Sequence, residues 1–166
     1  MMIGRRDKKK MMFKTIETKK SYFTMIQMRH SLNMILSEMS GINWKPHIVL
    51  GINRGGCVPG IYLSHALEIP HEALDIRLRD HKSKPSLAVL EKAHAFQKRI
   101  LIVDDINDTG ETLNYIKDNF GTPDNLKFAS VIHNEPSKFQ GLHFKGYTIN
   151  KEKNPVWIVF PWEEWQ

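Results

Sequence analysis

Apolar residues along this chain fall into two patterns. Ile100-Leu101-Ile102-Val103 is a continuous branched run, which predicts a strand covered on both faces in a parallel sheet rather than an alternating edge strand. That strand is expected to span Arg99–Asp105 at the centre of the fold. His47–Ile52 predicts a buried strand before it, Ala73–Leu78 a second, and Lys127–His133 a further member of the parallel set. Between the strands the period changes. Positions 25, 28, 32, 35 and 36 are apolar at helical spacing, with Thr24 as the cap, Gly41 as the stop and a Met-rich face that reads as core filling. Helices are also predicted over about 58–67, with Pro59 tolerated in the first turn, over Leu87–Phe96, and over Gly110–Phe120 with Gly121 at its end. After Asn134-Glu135-Pro136 the pattern turns irregular through Phe144 to Ile149. The chain finishes on an aromatic-rich segment, Val156–Glu164.

At 166 residues this pattern fits one domain with a sizeable core. The formal charge of +6 invites a nucleic-acid reading, but its location matters more than its size. Arg5, Arg6, Lys8, Lys9, Lys10, Lys14, Lys19 and Lys20 stand against only Asp7 and Glu17 in the first twenty residues, which accounts for the whole excess. The rest of the chain is neutral, so residues 1–21 read as a basic N-terminal arm on a body without a global basic field, and nucleic acid is not an expected partner. The single cysteine, Cys57, offers neither a disulfide nor a zinc cluster. No apolar run approaches the ~18 residues of a membrane span, and Lys8-Lys9-Lys10 is not followed by a secretory apolar core, so a cytoplasmic protein is expected.

Chemistry concentrates where the central strand ends. Asp104 and Asp105 stand side by side, and Asp108-Thr109-Gly110-Glu111-Thr112 then forms a polar turn opening a helix. Such a turn leaves backbone N–H groups convergent at a positive helix end, where a phosphate is favoured. The neighbouring carboxylates would repel that phosphate, so they must face something neutral or cationic, and vicinal sugar hydroxyls or a Mg²⁺ ion meet that need. The implied ligand is a ribose 5-phosphate. The alternative is an ordinary strand, cap and helix in which Asp108 merely caps. Asn53-Arg54-Gly55-Gly56, at the end of an earlier strand, adds a glycine pair for close backbone approach and an arginine suited to phosphate. The charged segment Arg79–Ser86 has no apolar anchor and reads as a mobile loop or a linker.

The run Ile100–Thr112 resembles the phosphoribosyl pyrophosphate (PRPP) signature of type I phosphoribosyltransferases, an apolar strand, two acids, two spacers and Asp-Thr-Gly-x-Thr. The C-terminal Trp157-Ile158 and Pro161-Trp162-Glu163 look like the hood of the xanthine-guanine and hypoxanthine members. The resemblance implies an α/β parallel-sheet fold, a Rossmann-like core with helices on both faces, over residues 22–166, with the small hood from about residue 134. It implies a purine-salvage glycosyltransferase, a pentosyltransferase moving phosphoribosyl from PRPP to xanthine, guanine or hypoxanthine with Mg²⁺ and release of diphosphate. A homo-oligomer, dimer or tetramer, goes with it.

Residue by residue, the resemblance puts Arg54 and Gly55 on the diphosphate, with a cis Asn53–Arg54 peptide. Asp104 and Asp105 hold the 2- and 3-hydroxyls, with Asp105 on the metal. Asp108, Thr109, Gly110, Glu111 and Thr112 form the 5-phosphate loop, and Asp108 also meets N7 of the base as general base. Trp157 stacks on the purine and Ile158 reads its edge. The loop after the second strand would close over the site, where Lys82 and Lys84 stand in for the arginine that relatives place on the diphosphate. One departure is plain. Relatives acting on 6-oxopurines have a lysine before the proline that follows the fourth strand, and here the residue is Glu135, so either Lys138 reaches back or the base preference has shifted. A non-enzymatic PRPP or nucleotide sensor with a nucleic-acid-binding arm would use the same phosphate loop.

Overall fold

The computed structural model describes residues 18–76, 78 and 84–163. The order of elements is β1 (Lys20–Tyr22), α1 (Met25–Gly41), β2 (Ile48–Ile52), α2 (Cys57–Leu67), β3 (His71–Leu74), α3 (Ala88–Ala95), β4 (Ile100–Asn107), α4 (Glu111–Phe120), β5 (Leu126–Asn134), β6 (Phe144–Ile149) and β7 (Trp157–Val159). Five strands form a parallel sheet in the order β3-β2-β4-β5-β6, and β1 and β7 form a separate two-stranded parallel sheet.

The continuous apolar runs are continuous because both faces of the sheet are covered. Along β4, Leu101 and Val103 join Met28, Leu32, Ile35 and Leu63 from α1 and α2 in one apolar cluster. Ile100 and Ile102 join Leu90 of α3 and Leu113 and Ile116 of α4 in the other. Successive side chains point to opposite faces, so one strand feeds two cores. Each fully buried Leu or Ile contributes about 1.5–3 kcal/mol of transfer free energy. The start of α1 follows its sequence closely: the Thr24 hydroxyl accepts the Gln27 N–H at 3.2 Å while the Gln27 side chain accepts the Thr24 N–H at 2.9 Å, a reciprocal cap.

Four expectations change. The second strand, expected over Ala73–Leu78, is β3 over His71–Leu74, because among the described residues it pairs only with β2 and the pairing ends where Ile52 faces Leu74. The central strand runs two residues further than Asp105, because β5 pairs with it as far as Asn107 opposite His133. The stretch expected to be irregular contains β6, an edge strand paired with β5 from Phe144 to Ile149. Its signal is weakened at Gly146, where a side chain would collide with the Ser31 hydroxyl of α1. The arm expected over 1–21 gives way to paired backbone by Lys20, since Lys20, Ser21 and Tyr22 lie opposite Trp157, Ile158 and Val159. The rest of the arm through residue 17 lies outside the described residues, as do Lys82 and Glu164. Among the described residues no helix is long and apolar enough to cross a membrane.

Burial lowers the pKa of three histidines, His71, His133 and His143, below the ordinary imidazole value. The nearby Lys145 and Lys127 ammonium groups add to the effect at His133 and His143 respectively, while Glu135 opposes it at His133 and Glu72 at His71. A depressed folded-state pKa means that the fold favours the neutral ring. The resulting stability is complete above the unfolded-state value of 6.5 and is lost as pH falls through the lower folded-state values. Melting temperature measured against pH is therefore expected to be level near neutrality and to fall below about pH 6.5. A level profile down to about pH 5 would show that these rings do not titrate with unfolding.

Candidate functional site

Because β2, β4 and β5 are parallel neighbours, the loops leaving their carboxyl ends lie side by side, the edge at which open α/β sheets bind ligands. The first loop is Asn53–Gly56. Its Asn53–Arg54 peptide is cis, as the resemblance implies, and the Asn53 N–H donates to the Leu74 carbonyl at 2.9 Å. Arg54 is exposed. Gly55 is a position where only glycine fits, since a Cβ there would run into the Asp105 carboxylate. The backbone of the first loop thus lies directly against the acid pair of the second.

Asp104 and Asp105 belong to β4 itself. Asp104 Oδ1 accepts the Asp105 N–H at 3.0 Å, and Asp105 Oδ1 accepts the Ile106 N–H at 2.8 Å. Burial pushes the Asp105 carboxyl above the ordinary carboxylate range, and the Glu163 carboxylate adds to this. A hydrogen bond shared with the Asp104 side chain and hydrogen bonds from backbone N–H groups oppose it. A carboxyl in that position gains from any cation or hydroxyl donor brought beside it. Burial also raises the Cys57 thiol, with Asp104 and Asp75 adding, and its Sγ lies 3.4 Å from the Gly51 carbonyl oxygen, so Cys57 is a neutral packing group. Mg²⁺ typically takes one or two protein carboxylates and fills its remaining positions with water or substrate oxygens. Asp104 and Asp105 fit that donor set.

The third part of the site is the turn Asp108–Thr112 at the start of α4. Gly110 caps the helix in the left-handed region at φ 86°, and its Cβ face is closed by Ser137 and Phe139. A buried polar network underpins this turn. Asn107 Nδ2 donates to the Phe139 carbonyl at 2.9 Å and meets His133 Nδ1 at 3.1 Å, and Asn107 Oδ1 accepts from the Ser137 hydroxyl at 2.8 Å. The Lys138 N–H donates to the Thr109 carbonyl at 3.0 Å, tying the 137–139 segment to the turn. Thr109 and Glu111 are exposed and Thr112 is half-buried.

Asp108 is held from two sides. Lys151 Nζ lies 2.7 Å from its Oδ2, and Asn134 Nδ2 donates to its Oδ1 and to its backbone carbonyl, each at 3.2 Å. The Asp108 side chain is bonded to other parts of the chain and is not spent on capping α4, since the helix has no side-chain cap. On the hood, Trp157 is 51% exposed with Lys151 Nζ 6.0 Å from its ring, while Ile158 packs half-buried on the core. Phe160 and Trp162 stack with centroids 4.8 Å apart, and Glu163 accepts the Phe160 N–H at 2.9 Å.

The structure therefore brings Arg54, Gly55, Asp104, Asp105 and the Asp108–Thr112 turn to one edge, with Asp108 linked to the hood through Lys151. The ammonium that meets Asp108 is that of Lys151. Lys84 is exposed. Asn107, Asn134 and Lys151 were not visible as site residues in the sequence. Lys151 begins Lys-Glu-Lys-Asn, a tract with the look of a solvated turn, and the two asparagines give no periodic signal.

Residues 24–164 match the family model described as a phosphoribosyl transferase domain. Among solved structures, the chain is similar to a purine phosphoribosyltransferase from Pyrococcus horikoshii Ot3, with 26% identity and a TM-score of 0.67 over 89% of this chain and 96% of that one. It is similar in fold to a Helicobacter pylori xanthine-guanine-hypoxanthine phosphoribosyltransferase, at 16% identity and TM-score 0.62 over 87% of this chain and 93% of that one. A hypoxanthine-guanine phosphoribosyltransferase from Bacillus anthracis matches at 19% identity and TM-score 0.59, over 81% of this chain and 84% of that one.

The network under the turn has a measurable energetic consequence. Replacing Asn107 by Ala strands the Ser137 hydroxyl and the Phe139 carbonyl in a buried site, at a cost of about 1–3 kcal/mol for a group left unsatisfied. Equilibrium urea unfolding of Asn107→Ala is expected to show a lower midpoint with an unchanged slope. A midpoint equal to that of the parent would mean that water enters and satisfies the network.

Proposed function

The chain belongs to the phosphoribosyl transferase domain family, and from that premise we propose that it joins a free 6-oxopurine, xanthine, guanine or hypoxanthine, to PRPP and releases diphosphate. The observation that carries this reading is the seating of the Asp105 carboxylate on the Gly55 backbone. That contact brings a loop suited to diphosphate against acids suited to a sugar diol, with an anion-binding helix start at the next strand end.

In this reading the bond from C1 of the ribose to the diphosphate oxygen breaks as the bond from C1 to the purine nitrogen forms. Positive charge develops at C1 and the ring, and the rate comes from holding the two reactants on opposite faces under preorganised charge. Asp104 and Asp105 accept hydrogen bonds from the 2- and 3-hydroxyls. Thr109, Gly110, Glu111 and Thr112 hold the 5-phosphate through the backbone at the start of α4. Arg54 and Gly55 take the diphosphate. Trp157 offers its exposed ring to the flat base, and Ile158 the backbone beside it. Asp108 accepts the imidazole N–H proton that the base must give up. Asp105, with Asp104 beside it, is the residue to hold Mg²⁺, which when bound would neutralise charge on the diphosphate oxygens. What supports the purine assignment is the hood strand, which brings an exposed indole near Asp108 through Lys151.

The test is diphosphate release from PRPP with hypoxanthine, guanine, xanthine and adenine offered separately. Activity on adenine alone, or on none of them, would overturn the reading. Replacing Asp108 by Asn is expected to lower kcat at least about 100-fold while leaving the KM for PRPP nearly unchanged, because the proton acceptor is lost and the phosphate turn is kept. Equal losses in both would remove Asp108 from the proton transfer.

A further inference from the structure

Lys151 stands on the turn after β6, and its side chain is 19% exposed where it pairs with Asp108, itself 27% exposed. The turn is fixed from several sides. Asn134 Oδ1 accepts the Lys151 N–H at 3.0 Å while Asn134 Nδ2 donates to Asp108, so one side-chain amide holds both members of the ion pair. Glu135 Oε2 accepts from Asn150 Nδ2 at 2.8 Å, and the Glu135 N–H donates to the Ile149 carbonyl at 2.9 Å. Asn150 Oδ1 in turn accepts the Lys153 N–H at 3.0 Å. Glu135, which stands where a base-reading lysine was expected, is spent on the turn that delivers a different lysine.

Resting on the purine-transfer reading, we propose that Lys151 is the residue that reads the oxygen at C6 of the base, and that Glu135 is a positioning residue that aims the turn carrying it. The chemistry follows from the edge of the purine. N7 and the C6 substituent are adjacent on that edge, and a 6-oxopurine with a proton on N7 presents a donor beside an acceptor. Asp108 and Lys151 present an acceptor beside a donor at 2.7 Å. On binding, each exchanges its partner for one atom of the base, and both charged groups keep a hydrogen bond. A 6-aminopurine presents N–H groups at C6, and these meet an ammonium that has no acceptor to offer. One of two buried donors is then left unsatisfied, which makes the pair selective and not merely adhesive.

The experiment compares the parent protein with Lys151→Met, Lys151→Gln and Lys151→Arg, measuring diphosphate release at saturating PRPP with hypoxanthine, guanine and adenine. Lys151→Met and Lys151→Gln are expected to lower the ratio of oxopurine to adenine kcat/KM roughly 10- to 100-fold. Lys151→Arg, which keeps a donor, is expected to hold the oxopurine preference. Glu135→Ala is expected to raise the KM for oxopurines while the KM for PRPP stays fixed, and Glu135→Gln, which still offers Asn150 an acceptor, to rescue it. A purely structural role for Lys151 would lower both substrates' rates together and leave the preference intact, which would overturn the proposal. So would a parent protein that favours adenine. A parent protein that releases diphosphate with no purine removes the transfer reading itself, and this inference with it.

Discussion

A strand hydrogen-bonded on both edges and covered on both faces leaves its side chains no solvent, and β4 is such a strand in its first half. Ile100, Leu101, Ile102 and Val103 are all fully buried, and β2 and β5 flank them. The strand nevertheless continues through Asp104 and Asp105 as far as Asn107. The polar half must therefore be satisfied by what lies around its end. Backbone N–H groups meet the two carboxylates, Gly55 leaves room for one of them, and the amide of Asn107 is fully engaged below the turn. Each of these contacts constrains a different loop, which is how one strand sets the relative positions of three loops from separate parts of the chain.

A carboxylate at the end of a buried strand is also an energetic liability. The raised pKa of Asp105 expresses it: desolvation and the neighbouring Glu163 disfavour the charge that the site needs. Sites that bind cations or hydroxyls are built from such groups, because a ligand then supplies what the protein withheld. Asp108 is treated differently. Its carboxylate is met within the protein by the Lys151 ammonium and by the Asn134 amide. Two acids three positions apart therefore sit in contrasting environments, which suits a division of labour between holding a ligand and accepting a proton.

Much of this arrangement was legible in the chain itself. The branched runs at Ile48–Ile52 and Ile100–Val103 read as buried strands and are so, and the acid pair followed by Asp-Thr-Gly-Glu-Thr marked the turn that opens α4. Edges were harder. β3 is shorter than its apolar run because its partner ends, and β6 was hidden by Gly146, whose reason for being glycine lies on a helix far away in sequence. The ion pair of Asp108 with Lys151 and the Glu135–Asn150 bond were invisible for the same reason. A polar contact across distant turns leaves no period in the sequence, whereas burial on a strand or a helix face does.

The small sheet of β1 and β7 joins the first described strand to the strand that carries Trp157. Its partners stand farther apart in sequence than those of any strand pair of the larger sheet. The wall presenting the indole is drawn from both ends of the described residues, and Phe23 and Phe160 beside it pack edge to face in the core, while the turn that opens α4 rests on the buried Asn107 network. A flat ring laid on that indole would lean on a strand whose neighbour comes from the far side of the sequence.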